Sequence, residues 1–278
     1  MAYRVSHHVL RITHHVSRIT PSAISHLPPA ICYNRRMFSN LHFSRIVFFS
    51  SILAAIAYIA SYILWFNAGI TLNISIKSTL ELAAQRPGLW GIGYFLQATA
   101  FLLWALTPIE IGQKYRNSAP GLSQLTMIAG GFGFAWRAMT DFARAGSIEY
   151  FGQLYASNDP TMRALAERLA AWTQLWTFGA VWEIVGNSIA FGVFAFLVGL
   201  LIVSTHKSYG WAVTLLGGLA ALSLIGTGVY YIVGIRTGLG IISIPGFVAI
   251  FTAPLWIAWF AWLADRPEQK PQGEELSL

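Results

Sequence analysis

Residues 46–66 read IVFFSSILAAIAYIASYILWF, twenty-one positions without a charge. A helix rises about 1.5 Å per residue, so about 20 apolar residues cross a hydrocarbon core about 30 Å thick. The apolar region of a secretory signal is shorter, about 7–15 residues. The stretch therefore predicts an uncleaved helix that crosses a membrane.

Five more stretches of this kind follow, at about Leu89–Ile109, Leu122–Ala143, Trp176–Val203, Trp211–Val233 and Ile241–Leu263. Each is apolar on nearly all sides, unlike an amphipathic helix of a soluble protein. Lipid offers no partner to a backbone N–H or C=O, so these spans must be helices. The expected fold is all-α: a polytopic membrane bundle of six transmembrane helices over residues 37–264, with residues 265–278 a disordered cytoplasmic tail. Composition agrees. Apolar residues make up 55% of the chain and charged residues 10%, against about 25% charged in a soluble domain.

Two connections carry structure of their own. Ile70, Leu72, Ile74 and Ile76 alternate with Thr71, Asn73, Ser75 and Lys77, a strand-like period of two in a short extracytoplasmic segment. Ser78 and Glu81 then have the spacing of a capping box, which predicts a short helix ending near Pro87-Gly88. Farther on, Asp159 suits an N-cap and Pro160 a first helical position. Met162, Leu165, Leu169, Trp172 and Trp176 recur at helical spacing, predicting an interfacial amphipathic helix that leads directly into the fourth span.

Residues 1–36 look unlike the rest. Ser6–Ile12 and Thr13–Ile19 form a seven-residue repeat containing His7, His8, His14 and His15. Residues seven apart share a helix face, so His7 and His14 have the placement of metal co-ligands. The plainer reading is a translated DNA repeat, making this segment a disordered, spurious leader before a start at Met37. Pro21, Pro28 and Pro29 fit a linker.

Lysine and arginine collect on the cytoplasmic side of membrane proteins. With the amino terminus inside, eleven lie on the cytoplasmic side, five of them in the leader, and six opposite (Lys77, Arg86, Arg144, Arg163, Arg168 and Arg236); with a start at Met37 the counts are six and six, and the short basic turns at Lys114/Arg116 and Lys207, which hug helix ends, decide. Both termini are therefore expected in the cytoplasm of a cell-membrane protein. Pro254 should bend the sixth span, and Trp256, Trp259 and Trp262 fit an aromatic belt at its cytoplasmic end.

A charge at the bilayer centre costs about 2.5–3.5 kcal/mol on insertion scales, so each needs a partner or water. Arg137 and Asp141 lie four apart in the third span, Glu183 and Asn187 four apart in the fourth, and Gln97 in the second. Counting from Ala143, Trp176 and Leu89, Arg137, Glu183 and Gln97 lie about 9, 10 and 12 Å deep, nearly one level in the outer leaflet. Tyr230 falls shallower and joins the candidate cluster from the fifth span. Arg137 is expected to pair with Glu183, with Asp141 as a second acceptor and Gln97 or Asn187 completing the hydrogen bonds. Two readings stand: a buried ion network that fixes helix register, or a ligand site open to the outer side, with Arg137 anchoring an anionic group. Small-residue pairs (Ala129/Gly133, Ser188/Gly192, Gly217/Ala221) predict close helix contacts.

Several chemistries are excluded by the spans themselves. They carry no lysine for a retinal Schiff base and no histidine for haem. The chain has no zinc motif, nucleophile elbow or P-loop, and Cys32 is its only cysteine. No catalytic residue, metal site or cofactor is expected. Basic residues interleaved with aromatics are absent, so nucleic acid is not an expected partner. The expected partners are the lipid bilayer and a small ligand or membrane protein.

From about Phe43 to Leu263 the layout resembles a bacterial six-helix membrane family of unknown function, the domain-of-unknown-function 4386 type. The likeness rests on the segment after the first span and on Phe134-Ala135-Trp136-Arg137. It rests also on the glycine-containing pair Gly192–Ser204 and Gly210–Val233, joined by a short basic turn. That family has no established activity to carry over. The histidine-rich leader departs from its pattern. Two roles remain in view: a non-enzymatic accessory or ligand-binding membrane protein, and a small-solute transporter or channel with an outer-facing polar site. The second calls for repeated halves and discontinuous helices, and the halves show no similarity.

Overall fold

The computed structural model describes residues 43–67, 69, 76–177, 182–205, 207–233 and 241–265, with the backbone alone at 174–177, 182–183 and 231–233. The leader, the alternating residues 70–75 and the tail beyond Asp265 lie outside the described residues. Within them all regular structure is helical: α1 (Phe43–Asn67), α2 (Ile76–Gln85), α3 (Leu89–Trp104), α4 (Leu106–Lys114), α5 (Pro120–Tyr155) and α6 (Pro160–Thr177) come first. A π-helical segment, π1 (Trp182–Val193), runs on into α7 (Phe194–Ser204), followed by α8 (Tyr209–Val233), a 3-10 turn (Ile241–Ser243), α9 (Ile244–Phe251) and α10 (Ala253–Asp265). Four helices are long and apolar enough to cross a membrane: Phe43–Asn67, Leu89–Lys114, Ile184–Ser204 and Tyr209–Tyr230. A fifth is added if the α9–α10 pair, bent by 54°, is one span.

One end of the bundle is tied by polar contacts. The Ser44 hydroxyl donates to the Asp265 carboxylate (2.8 Å), and the Lys114 ammonium donates to the Leu263 carbonyl. The starts and ends of the described chain therefore meet at this basal end. At the distal end, Glu149 near the end of α5 accepts from the Gly88 and Gly91 N–H groups at the start of α3 (2.5 and 3.2 Å). First-turn N–H groups have no partner within a helix and carry the positive end of its dipole, so a carboxylate suits them. Gly88, at φ 92°, turns the chain there without a side chain of its own to offer.

α5 does not stop at Ala143. It continues to Tyr155, because its last turns are covered: Leu80 of α2 and Ala166 and Ala170 of α6 bury against Phe151, with Ile76, Leu154, Tyr155 and Leu169 around them. The same packing corrects the capping box. Ile76 belongs to this cluster and already opens α2, so Ser78 lies inside the helix. Asp159 and Pro160 do start α6, with the Thr161 N–H donating to Asp159 Oδ1 (2.8 Å). Along α6, Met162, Leu165 and Trp172 stay exposed while Ala166 and Ala170 face inward. The join of α6 to the fourth span, residues 178–181, lies outside the described residues.

The bend expected at Pro254 falls between α9 and α10. Proline has no N–H, so the Ile250 carbonyl four residues earlier loses its helical donor. The Tyr58 hydroxyl of α1 donates to it instead (3.2 Å), and Trp256 Nε1 donates to the neighbouring Ala249 carbonyl (2.9 Å). Trp256 therefore packs inward against Phe191, Phe194 and Phe260 and is no part of an aromatic belt; of the three tryptophans only Trp262 is exposed. A second proline, Pro108, leaves the Trp104 carbonyl without its donor where α3 gives way to α4. Tyr58→Phe should strand the Ile250 carbonyl and cost about 1–3 kcal/mol. Unfolding in mixed micelles on titration with a denaturing detergent measures this, and a variant as stable as the parent excludes the role.

Backbone approach explains the small residues. A Cβ on Gly192 or Gly217 would strike the backbone of Ala221 or Phe196 respectively, and one on Gly133 would lie 2.7 Å from the Ala190 nitrogen. Without a hydrophobic drive between helices in lipid, such close packing is what holds spans together.

Candidate functional site

The contacts between α3 and α5 fix an antiparallel register. Glu149 meets Gly88 and Gly91, Arg144 lies over the Tyr94 ring (5.6 Å), Arg137 over the Phe101 ring (4.4 Å), and Gly130 faces Pro108. This sets Asp141 level with Gln97, and Arg137 one turn farther in. Measured from Leu89, Phe101 lies about 18 Å along its helix. The sequence-based depth, which made Arg137 level with Gln97, is corrected by one turn. Its counting started at Ala143, and α5 has no end there.

Three charged groups share one face of α5. Arg137 Nη2 lies 3.4 Å from Asp141 Oδ2, and Arg144 Nη1 donates to Asp141 Oδ1 at 2.9 Å. Exposure is 1% for Arg137, 0% for Asp141 and 3% for Arg144, so all three are inside the protein. The positions i, i+4 and i+7 bring them onto one stripe. Each guanidinium lies over an aromatic face, which attracts a cation and replaces part of its lost hydration. Arg144 was not among the predicted site residues, being assigned to an outer loop. The Arg-x3-Asp-x2-Arg spacing was the signal that would have found it.

The other predicted residues divide. Gln97 is buried on α3, within interaction range of the Tyr62 hydroxyl, which itself pairs with Tyr58 (3.2 Å). Through Tyr58 the polar region reaches the bend between α9 and α10. Asn187 is fully buried on π1, and neither atom of its amide has a hydrogen-bond partner among the described residues. Tyr230 is 39% exposed on α8, outside the buried cluster: it follows the exposed apolar stripe of Leu222, Ile225 and Val229. For Glu183 only the backbone is described, in the first turn of π1.

π1 reaches the cluster by two glycines. Gly133 of α5 lies against Ala190, and Gly186 lies against both Arg137 and Trp136: a Cβ there would be 3.1 Å from Arg137 Cδ and 3.2 Å from Trp136 Cδ1. This register sets the Glu183 backbone near the level of Thr140 and Asp141, and Asn187 near that of Trp136. Helices with π geometry are rare and gather at functional sites, since the wide turn re-aims side chains. Compared with known protein families, curated proteins and solved structures, the chain matches none.

Proposed function

We propose that this chain is a six-span integral membrane protein that works by binding: a non-enzymatic accessory or ligand-binding protein, with the α5 cluster as its polar site. The sixth span in this reading is α5. Its charges lower its hydropathy, but it runs antiparallel beside the apolar α3–α4 span, from Pro108 to Gly88. A helix that keeps company with a span over its whole length crosses the same core. Six crossings bring both ends of the bundle to one side, in keeping with the Ser44–Asp265 contact. Removing the buried Arg144 from the outer set leaves five basic residues there against eleven, or against six with a start at Met37, which favours cytoplasmic termini. The exposed Met162, Leu165 and Trp172 of α6 suit an outer membrane interface.

The observation that carries the binding reading is the fully buried Asn187 amide, without a hydrogen-bond partner among the described residues, on the helix whose Gly186 packs against the buried Arg137. An unmatched buried amide costs about 1–3 kcal/mol, and a bound polar group would satisfy it. A transporter is favoured by a different observation, the broken α9–α10 pair, because transporters build sites from discontinuous helices. Reporter fusions test the architecture. One placed after Leu278 should report the cytoplasm, and one within residues 156–160 the opposite side. An external carboxyl terminus overturns the orientation, and a cytoplasmic 156–160 loop removes α5 from the spans.

A further inference from the structure

We infer that α9 is a hinged strap: it swings about the joint at Thr252–Pro254, and the Ser223 hydroxyl of α8 is the latch that holds it down. The joint lacks the bonds that stiffen a helix. Pro254 has no N–H to offer the Ile250 carbonyl, and the Leu255 N–H donates to the Thr252 carbonyl (2.9 Å), three residues back instead of the helical four. Side chains, Tyr58 and Trp256, take up the Ile250 and Ala249 carbonyls. The angle between α9 and α10, 54° in this structure, can therefore change at these positions without breaking a helical hydrogen bond. Interruptions of this kind are where helices bend.

The two sides of the joint are held differently. α10 buries Ala253, Pro254, Ile257, Phe260, Ala261 and Ala264, and its end is tied to Ser44. Of the eight residues of α9 only Gly246 and Ile250 are buried, while Ile244, Val248 and Phe251 are exposed. Close packing is what holds helices together in lipid, and elements with few packed contacts open first. Polar contacts hold α9 instead. Ser223 Oγ accepts from the Gly246 N–H (2.9 Å) and donates to the Ile242 carbonyl (2.5 Å). Gly246 lies in the first turn of α9, whose N–H groups have no partner within the helix. Its lack of a side chain permits the approach: a Cβ there would lie 2.9 Å from the Ser223 hydroxyl and 2.7 Å from the Leu224 side chain. At the other end of α9 the Tyr58 hydroxyl holds Ile250, and a swing withdraws that acceptor. The Tyr62 hydroxyl, 3.2 Å away, is then the neighbour left to Tyr58. The position of α9 is thereby coupled to the tyrosine pair beside Gln97.

Ser223→Ala leaves the Gly246 N–H and the Ile242 carbonyl without this partner whether α9 is down or lifted, so the docked position loses its advantage. The test is a spin-label distance measurement on the full chain in phosphatidylcholine nanodiscs, with Cys32→Ser removing the native thiol. Labels go on the exposed positions Val248 of α9 and Ile128 of α5, and, as the control, on Leu255 of α10 and Ile128. The Val248–Ile128 pair should show a second, minor distance, and Ser223→Ala should raise its share relative to the main one about tenfold, the loss of about one hydrogen bond. The Leu255–Ile128 distance should stay the same. No ligand takes part, so either outcome leaves the binding reading standing. Should Ser223→Ala fail to fold, Thr227→Val takes its place with the same expectations: it deletes the hydroxyl 3.3 Å from that of Ser243 and keeps the side-chain shape. One distance, the same in the parent and the variant, overturns the proposal. An equal change in both pairs overturns it too, because the bundle has then loosened without a hinge.

Discussion

Asp141→Ala is expected to destabilise the folded chain by about 3–5 kcal/mol, the cost of breaking a buried ion pair from one side. Asp141 is the carboxylate that both Arg137 and Arg144 approach, at 3.4 and 2.9 Å, with all three residues at most 3% exposed. Removing it leaves two cations four and three residues away on one face, close enough to repel. Water cannot replace it, because the face is covered by Phe101 and Tyr94. Adding Arg144→Leu should return part of the loss: it deletes the guanidinium nearest to Asp141 and puts a shorter, uncharged side chain in its place. Unfolding in mixed micelles and the folded yield in mild detergent measure both variants. A single variant within about 0.5 kcal/mol of the parent, the range of an ordinary surface change, would mean that Asp141 holds neither arginine.

How much of this was legible depends on where charge and proline fall. Residues 46–66 could be read at sight, because an uncharged run of that length has one stable form in lipid, and α1 covers it. That Arg137 and Asp141 share a helix face was legible from their four-residue spacing, whereas the pairing of Arg137 with Glu183 falls on a side chain outside the described residues. The far half of α5 was not. Arg144 and Glu149 look like the end of a span, and nothing local says that Asp141 and the start of α3 will take them up. Depths counted from Ala143 inherited that error. Of the alternation over residues 70–77 only Ile76 and Lys77 lie among the described residues, and both are in α2, where Ile76 packs with Phe151.

The bend at Pro254 shows the other limit. Proline announced that the Ile250 carbonyl would lose its donor, so the bend was predictable. Which group would replace the donor was not, since Tyr58 lies 192 positions away. The result is a physical link the pattern did not contain: the same Tyr58 that satisfies the bend pairs with Tyr62, beside Gln97 and the charged face of α5. Trp256 was misplaced for a related reason. Its spacing with Trp259 and Trp262 suggested an interface, but the Ala249 carbonyl freed near the bend needs a donor, and the indole N–H supplies it.

Two glycines of α5 should answer the same substitution with opposite signs. Gly131 has nothing within 4 Å of where a Cβ would stand, whereas at Gly133 that atom would lie 2.7 Å from the Ala190 nitrogen and 2.9 Å from its Cα. Alanine is the better helix former by about 1 kcal/mol, because glycine loses more backbone freedom. Gly131→Ala should therefore raise stability by up to about 1 kcal/mol. Gly133→Ala gains the same propensity but must push π1 away from α5, and overpacking of this kind costs about 1–3 kcal/mol. The atoms it meets are backbone, so no side-chain rotation relieves the contact. The displacement would also draw Gly186 off Arg137, since both contacts lie along the same pair of helices. Detergent unfolding of the two variants side by side makes the measurement, with the parent between them. Equal shifts of one sign would show that α5 and π1 do not meet at Gly133, and the register that brings Asn187 level with Trp136 would fall with that contact.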